Sequence, residues 1–307
     1  MQKIKNLVGQ FDSDDLKINF FNAMKDERFK KLRDLIELND EKLYKYTFLL
    51  KDASLELDNC LGCKGLDKCK NQMKGYVYFP HVNNDSLVFS YDCCKYKKKE
   101  IEDTKYFKNV NLFKVPIALK NAKIKDIYVD DASRIDIVKY IDNYLEQYNK
   151  GIKEKGIYLS GNFGSGKTYL ISALFNELAK RDVKSYIVYF PELLRSLKSS
   201  FSSNEYDGID FEDKFEIIKK IPFLLIDDIG AENVTPWSRD EILGTLLQYR
   251  MDANLPTFFT SNLTIDELEA HLAITNGKVD KVKARRIIER IKYLSNEMKL
   301  IGVNRRN

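Results

Sequence analysis

Residues Gly161 to Thr168 read Gly-Asn-Phe-Gly-Ser-Gly-Lys-Thr, an order of types that does phosphate chemistry. Gly161, Gly164 and Gly166 have no Cβ, so the backbone can turn tightly and aim successive N–H groups at an anion. Lys167 brings an ammonium to the terminal phosphates, and the Thr168 hydroxyl is a ligand for magnesium. Asn162, Phe163, Ser165 and Tyr169 complete the stretch expected around the nucleotide. Further on, Asp227 and Asp228 follow the apolar run Phe223-Leu-Leu-Ile. Asp227 is expected to hold the magnesium and Asp228 to polarise the attacking water. Asn262 closes Thr260-Ser261-Asn262; its amide either orients that water or is a simple turn residue. Arg286 and Arg290 lie four apart in a basic helical stretch and share one face, which reaches either a neighbouring subunit's γ-phosphate or solvent.

A second set of reactive types sits apart from the first. Cys60, Cys63, Cys69, Cys93 and Cys94 are the chain's five cysteines, confined to one short segment that also holds His81. Thiolates and an imidazole at such spacing suit a structural zinc. Of six candidates for four places, the expected quartet is Cys60, Cys63, His81 and Cys93, with Cys69 or Cys94 as substitutes.

These side chains need elements to carry them. Gly156 to Ser160 is apolar enough for the buried strand that must precede a phosphate loop, and the periodicity from Thr168 to about 181 predicts the helix that follows it. Further strands are expected at Ser185–Phe190, Ile221–Ile226 and Thr257–Ser261, with helices over Ile135–Tyr148, after Pro191 and over Arg239–Asn254. That alternation implies an α/β unit, a parallel sheet between helices, with ligands at the strands' carboxyl ends. Residues 14 to 58 have helical spacing. The runs Tyr76–Phe79 and Leu87–Tyr91 around Asn83-Asn84-Asp85 predict a hairpin bearing the cysteines. The expected division is a small helical and zinc-hairpin domain over 1–98, a linker over 99–116 and the α/β domain over 117–307.

The chain's 307 residues, 44% hydrophobic and 32% charged, exclude a fibrous or disordered class. No run approaches a membrane span, so a cytoplasmic protein without membrane contact is expected. The net charge of +5 is mildly basic, which favours polyanions without requiring them. Arg195, Lys198 and Phe201, after Pro191, form a basic and aromatic set suited to single-stranded DNA or to an ordinary exposed helix. Trp237 is expected to pack, and His271 to lie at the surface or half-buried.

Taken in order, GNFGSGKT, LLIDDIGAE, TSN and ARRIIERI resemble the AAA+ ATPases and, more narrowly, the bacterial replicative helicase loaders of the DnaI and DnaC group. The resemblance spans nearly the whole chain and is weakest over the first 55 residues. Beside the Zn2+ expected from the cysteine spacing, it implies ATP and Mg2+ as cofactors, and a hexameric replicative helicase docked by the N-terminal domain. It also implies single-stranded DNA as a second partner and self-association through the AAA+ domain. By that resemblance Lys167 and Thr168 are the Walker A pair, Asp227 and Asp228 the Walker B pair, and Asn262 the first sensor. Arg290, with Arg286 second, matches the arginine finger, and Arg305 or Arg306 the second sensor. Many AAA+ proteins carry Glu where this chain has Asp228, so turnover is expected to be slow. A transposase-helper ATPase and a nucleotide-gated adaptor without turnover are the rival expectations; the first typically lacks a cysteine-rich front domain.

Overall fold

The computed structural model describes residues 13–305 apart from 130, 203–206 and 276, with the backbone alone at 13, 200–202 and 207–212. It forms two compact units, one ending at Thr104 and the other beginning at Lys105.

In the first unit the helical pattern of 14–58 is cut into four pieces, α1 (Ser13–Ala23), α2 (Glu27–Asp34), α3 (Asp40–Leu43) and α4 (Thr47–Cys60). The first two cuts fall where side chains cap the backbone. Asp26 accepts the Arg28 N–H ahead of α2, and Asn39 accepts that of Lys42 ahead of α3. Phe20, Phe29, Leu32, Leu43 and Leu50 are buried together with Leu87, each side chain worth roughly 1.5–3 kcal/mol. Leu87 belongs to the expected hairpin, β1 (Tyr76–Asn83) and β2 (Ser86–Cys93). The Asn83–Ser86 pair closes its turn, and Asn84 takes the left-handed conformation at φ 52°. Helix α5 (Lys95–Thr104) completes the unit.

No free linker runs over 99–116. Residues 99–104 finish α5, and Val110–Phe113 form β3, an edge strand of the sheet in the second unit. Val110 is buried and Asn111 exposed, a two-residue alternation too short to stand out from the charged sequence around it.

The second unit is built on six parallel strands in the order β10, β4, β7, β6, β5, β3. Besides β3 these are β4 (Gly156–Gly161), β5 (Ser185–Tyr189), β6 (Phe223–Asp227), β7 (Thr257–Ser261) and β10 (Ser295–Leu300). Ile157 and Leu159 pack on one face of the sheet with residues of α6 (Ala132–Asn149) and α7 (Lys167–Ala179). Tyr158 points to the other face, where α8 (Phe190–Ser202), α9 (Asp207–Lys220) and α10 (Gly244–Asp252) contribute, with α11 (Ile265–Ala273) and α12 (Lys281–Leu294). The result is the expected three-layered α/β architecture. A small ribbon, β8 (Ile274–Thr275) with β9 (Lys278–Val279), links α11 to α12, and a π-helix over Trp237–Leu243 leads into α10. Among the described residues no helix is long and apolar enough to cross a membrane.

Arg250 of α10 is fully buried, yet its guanidinium faces backbone rather than a carboxylate. It donates to Ile221 O at 2.8 Å, Lys219 O at 3.1 Å, Pro256 O at 2.8 Å and Thr257 Oγ1 at 2.7 Å. One side chain thus ties the end of α9 to the starts of β6 and β7.

Candidate functional site

Strand order decides what meets what. With β7 between β4 and β6, the loop after β4, the end of β7 and the end of β6 open side by side at the carboxyl edge of the sheet. They line a cavity of about 860 Å³, large enough for a nucleotide. Gly166 has φ 90° and Gly161 φ 152°. A Cβ on Gly161 would stand 2.1 Å from Leu300 O, so only glycine passes between β4 and β10 there. The loop ends at the N-terminus of α7, where free N–H groups and the helix dipole favour an anion.

The predicted residues converge around that loop. Lys167 Nζ donates to Gly161 O at 2.8 Å, Asn162 O at 2.9 Å and Asn262 Oδ1 at 2.8 Å. The other end of the Asn262 amide donates to Asp228 Oδ1 at 3.1 Å, so Asn262 bridges the lysine and the carboxylate rather than merely turning the chain. Thr168 Oγ1 donates to Asp227 Oδ1 at 2.7 Å. Burial pushes the Asp227 carboxyl above its ordinary value, against the hydroxyl donors of Thr260 and Thr168. Asp228 has φ 60°, a left-handed backbone that costs a non-glycine residue roughly 1–3 kcal/mol. Gly164, Ser165 and Tyr169 line the cavity too, as does Phe163, which is largely exposed.

Two arginines join the site. Arg305 donates its backbone N–H to Gly164 O at 2.9 Å and lays its guanidinium over the Tyr128 ring at 5.0 Å. Arg306 lies outside the described residues. Arg134, near the start of α6, is buried and donates from its guanidinium to Ser165 O at 2.5 Å. Nothing in the sequence pointed to Arg134, because the contact joins segments 31 residues apart. Thr260 is a second addition: its hydroxyl touches both aspartates. It stands in the same Thr-Ser-Asn run as Asn262, two residues ahead of it.

Other expected residues lie elsewhere. Arg290 is half-buried and donates to Gly244 O at 2.9 Å within its own subunit, whereas Arg286 is exposed. Arg195 and Lys198 share the exposed face of α8, Arg195 beside Glu192 at 2.5 Å; the Phe201 side chain lies outside the described residues. Trp237 packs against the core, and His271 is half-buried with Nε2 3.3 Å from Glu232 O.

The expected zinc quartet of Cys60, Cys63, His81 and Cys93 is not brought together. Cys93 pairs with Tyr76 at the far end of the hairpin from the turn, so His81, five residues along β1, lies roughly 17 Å away along the strand. His81 Nε2 sits 3.1 Å from Asp92 Oδ1 instead. The thiols lining a common cavity of about 290 Å³ are Cys60, Cys63, Cys69 and Cys94. The Gly75 N–H points to Cys69 Sγ at 3.4 Å, the Lys97 N–H to Cys94 Sγ at 3.5 Å, and Asn71 Nδ2 to Cys60 Sγ at 3.5 Å. Burial pushes the Cys60 thiol up, and the neighbouring Cys63, Cys69 and Cys94 add to it. Among the described residues no group of three or more His, Cys, Asp or Glu side chains is gathered closely enough to hold a metal ion.

The second unit's site is a phosphate loop beside two strand-end carboxylates and a bridging amide. The chain is 38% identical over 274 residues to the replicative helicase loader DnaI of Bacillus subtilis (strain 168), covering 89% of this chain and 84% of that protein. The chain belongs to the DnaI family of replicative helicase loaders. A crystal structure of DnaI matches with a TM-score of 0.56 at 43% identity, over 67% of this chain and all of that one. A putative primosome component from Streptococcus pyogenes serotype M3 matches with a TM-score of 0.55 at 33% identity, over 68% of this chain and all of that one. No family model matches the sequence.

Proposed function

We propose that this helicase loader works through ATP: the second unit binds ATP with Mg2+ and hydrolyses it slowly, and the first unit docks on the hexameric replicative helicase. The observation that carries the reading is the linked pair of contacts Lys167–Asn262–Asp228 and Thr168–Asp227 around one cavity. Backbone N–H groups of 161–168 and the Lys167 ammonium hold the phosphates. Thr168 and Asp227 would hold the magnesium, whose charge would offset that of the phosphates. Asp228 accepts the proton of the attacking water, and Asn262 keeps its carboxylate turned toward the phosphates. A carboxylate one methylene shorter than Glu, on a left-handed backbone, supports slow turnover. Self-association would bring exposed Arg286 to a neighbour's phosphates more readily than Arg290, whose guanidinium serves Gly244 O.

In the first unit the cavity ringed by Cys60, Cys63, Cys69 and Cys94 is the proposed place for a structural zinc, and the four thiols would have to close in on the ion to bind it. Four thiols line one cavity, and N–H donors point at three of the sulfurs, which favours thiolates. Zinc bound there would supply folding energy to a unit with a small core. Single-stranded DNA is the second partner proposed, along the basic face of α8, and the protein acts in the cytoplasm.

The test uses the full-length chain. Lys167→Ala is expected to abolish ATP binding measured by calorimetry with magnesium. Asp228→Asn is expected to bind ATP normally and lose at least about a hundredfold in hydrolysis. In a helicase-loading assay both variants fail if hydrolysis is needed, whereas a nucleotide-gated adaptor fails with the first alone. A wild-type chain that takes up no ATP would overturn the reading.

A further inference from the structure

We propose that Thr260 is a positioning residue for the hydrolysis step, its single hydroxyl setting both aspartates of the site at once. The inference rests on the ATPase reading above. Thr260 is the penultimate residue of β7 and is buried. Its Oγ1 lies 2.9 Å from the Asp228 backbone nitrogen and 2.6 Å from Asp227 Oδ1. A backbone N–H can only donate, so the hydroxyl accepts from Asp228 and its one proton goes to Asp227. The direction of both bonds is therefore determined, and the two carboxylate residues are tied through one oxygen atom.

The tie acts where the backbone is under strain. Asp228 stands at φ 60°, and holding it there takes more than the strand, because β6 ends at Asp227. Thr260 supplies two consecutive anchors. Its hydroxyl takes the Asp228 N–H, and its carbonyl takes the Ile229 N–H at 2.9 Å. Ser261 then donates its hydroxyl to Ile229 O at 2.6 Å. With the backbone so held, the Asp228 carboxylate meets Asn262 Nδ2, and Asp227 Oδ1 receives two hydroxyl donors, Thr168 and Thr260. Two donors on Oδ1 hold the carboxylate in one rotamer. Loss of the hydroxyl leaves a buried N–H without its acceptor and lets both carboxylates swing.

Thr260→Val removes the hydroxyl at nearly constant volume, and Thr260→Ser keeps it. With full-length protein, Thr260→Val is expected to lower kcat for ATP roughly ten- to a hundredfold, with KM for ATP changed less than about threefold. The magnesium concentration for half-maximal turnover should rise, and Thr260→Ser should restore most of both. Thr260→Ala stands in should the valine variant not fold. Two results would overturn the proposal: a hydroxyl-free variant that turns over like wild type, or a serine variant as slow as the valine one. If wild type hydrolyses ATP and Thr260→Val matches it, Thr260 alone loses its role; if wild type binds no ATP, the ATPase reading fails with it.

Discussion

Glu232 carries a carboxyl that none of the steps above requires, four residues past Asp228 and nearly buried. Burial pushes it up to about 7, and the Asp228 charge adds, against the N–H groups of Glu232 itself and of Gly230, which donates to Oε2 at 2.7 Å. The folded chain therefore holds a proton that the unfolded chain, at the ordinary 4.5, has released. Between about 4.5 and 7 stability falls as pH rises; below that window the contribution is fully present, and above it is lost, a span of roughly 3 kcal/mol. Glu232→Gln should flatten this slope. Denaturant unfolding at pH 5 and at pH 7.5 measures it: wild type should lose more stability between the two than the variant, and equal losses would reject the assignment.

At the scale of elements, β6 and β7 do most of the positioning, and Arg250 explains how two strands joined by a long crossover keep their ends level. Its bonds to Ile221 O and Thr257 Oγ1 register the two strands where they begin, so Asp227 and Thr260 meet where they finish. Helix α8 presents a different question. Leu193, Leu194 and Leu197 bury one side of it, leaving Arg195 and Lys198 outward. A phosphate backbone lying on that face would release counterions, so affinity for single-stranded DNA should fall steeply with salt. Arg195→Ala with Lys198→Ala should weaken binding and flatten the dependence of log affinity on log salt. Filter binding between about 50 and 200 mM salt would decide it, and an unchanged slope would remove α8 from the interface.

At the scale of the molecule, the two units differ in what holds them. The second has a sheet covered on both faces by large apolar clusters. The first has one small cluster beside a cavity ringed by thiols, and burial on that scale benefits from a metal. If zinc binds there as proposed, chelation should lower the unfolding transition of the first unit by several degrees or more and leave that of the second in place. Calorimetry of the full chain with and without chelator resolves the two. Zinc content should drop in Cys69→Ser and Cys94→Ser but persist in Cys93→Ser and His81→Ala; the opposite pattern would reinstate the quartet expected from spacing.

The phosphate loop, the Asp227-Asp228 pair and the alternation of strands and helices were legible in the sequence because each is local. A loop's glycines, a strand's apolar run and a helix's period act over a few residues. Tertiary structure alone decided that Cys94 rather than Cys93 faces the thiol cavity, since adjacent residues at a strand end point opposite ways and composition does not reveal which way is inward. It likewise decided that Val110–Phe113 joins the sheet, that Arg134 and Thr260 belong to the site, and that Arg290 turns back to Gly244. Those outcomes depend on which segments lie adjacent in space, set by strand order and by hydrogen bonds between distant parts of the chain, and no local pattern encodes them.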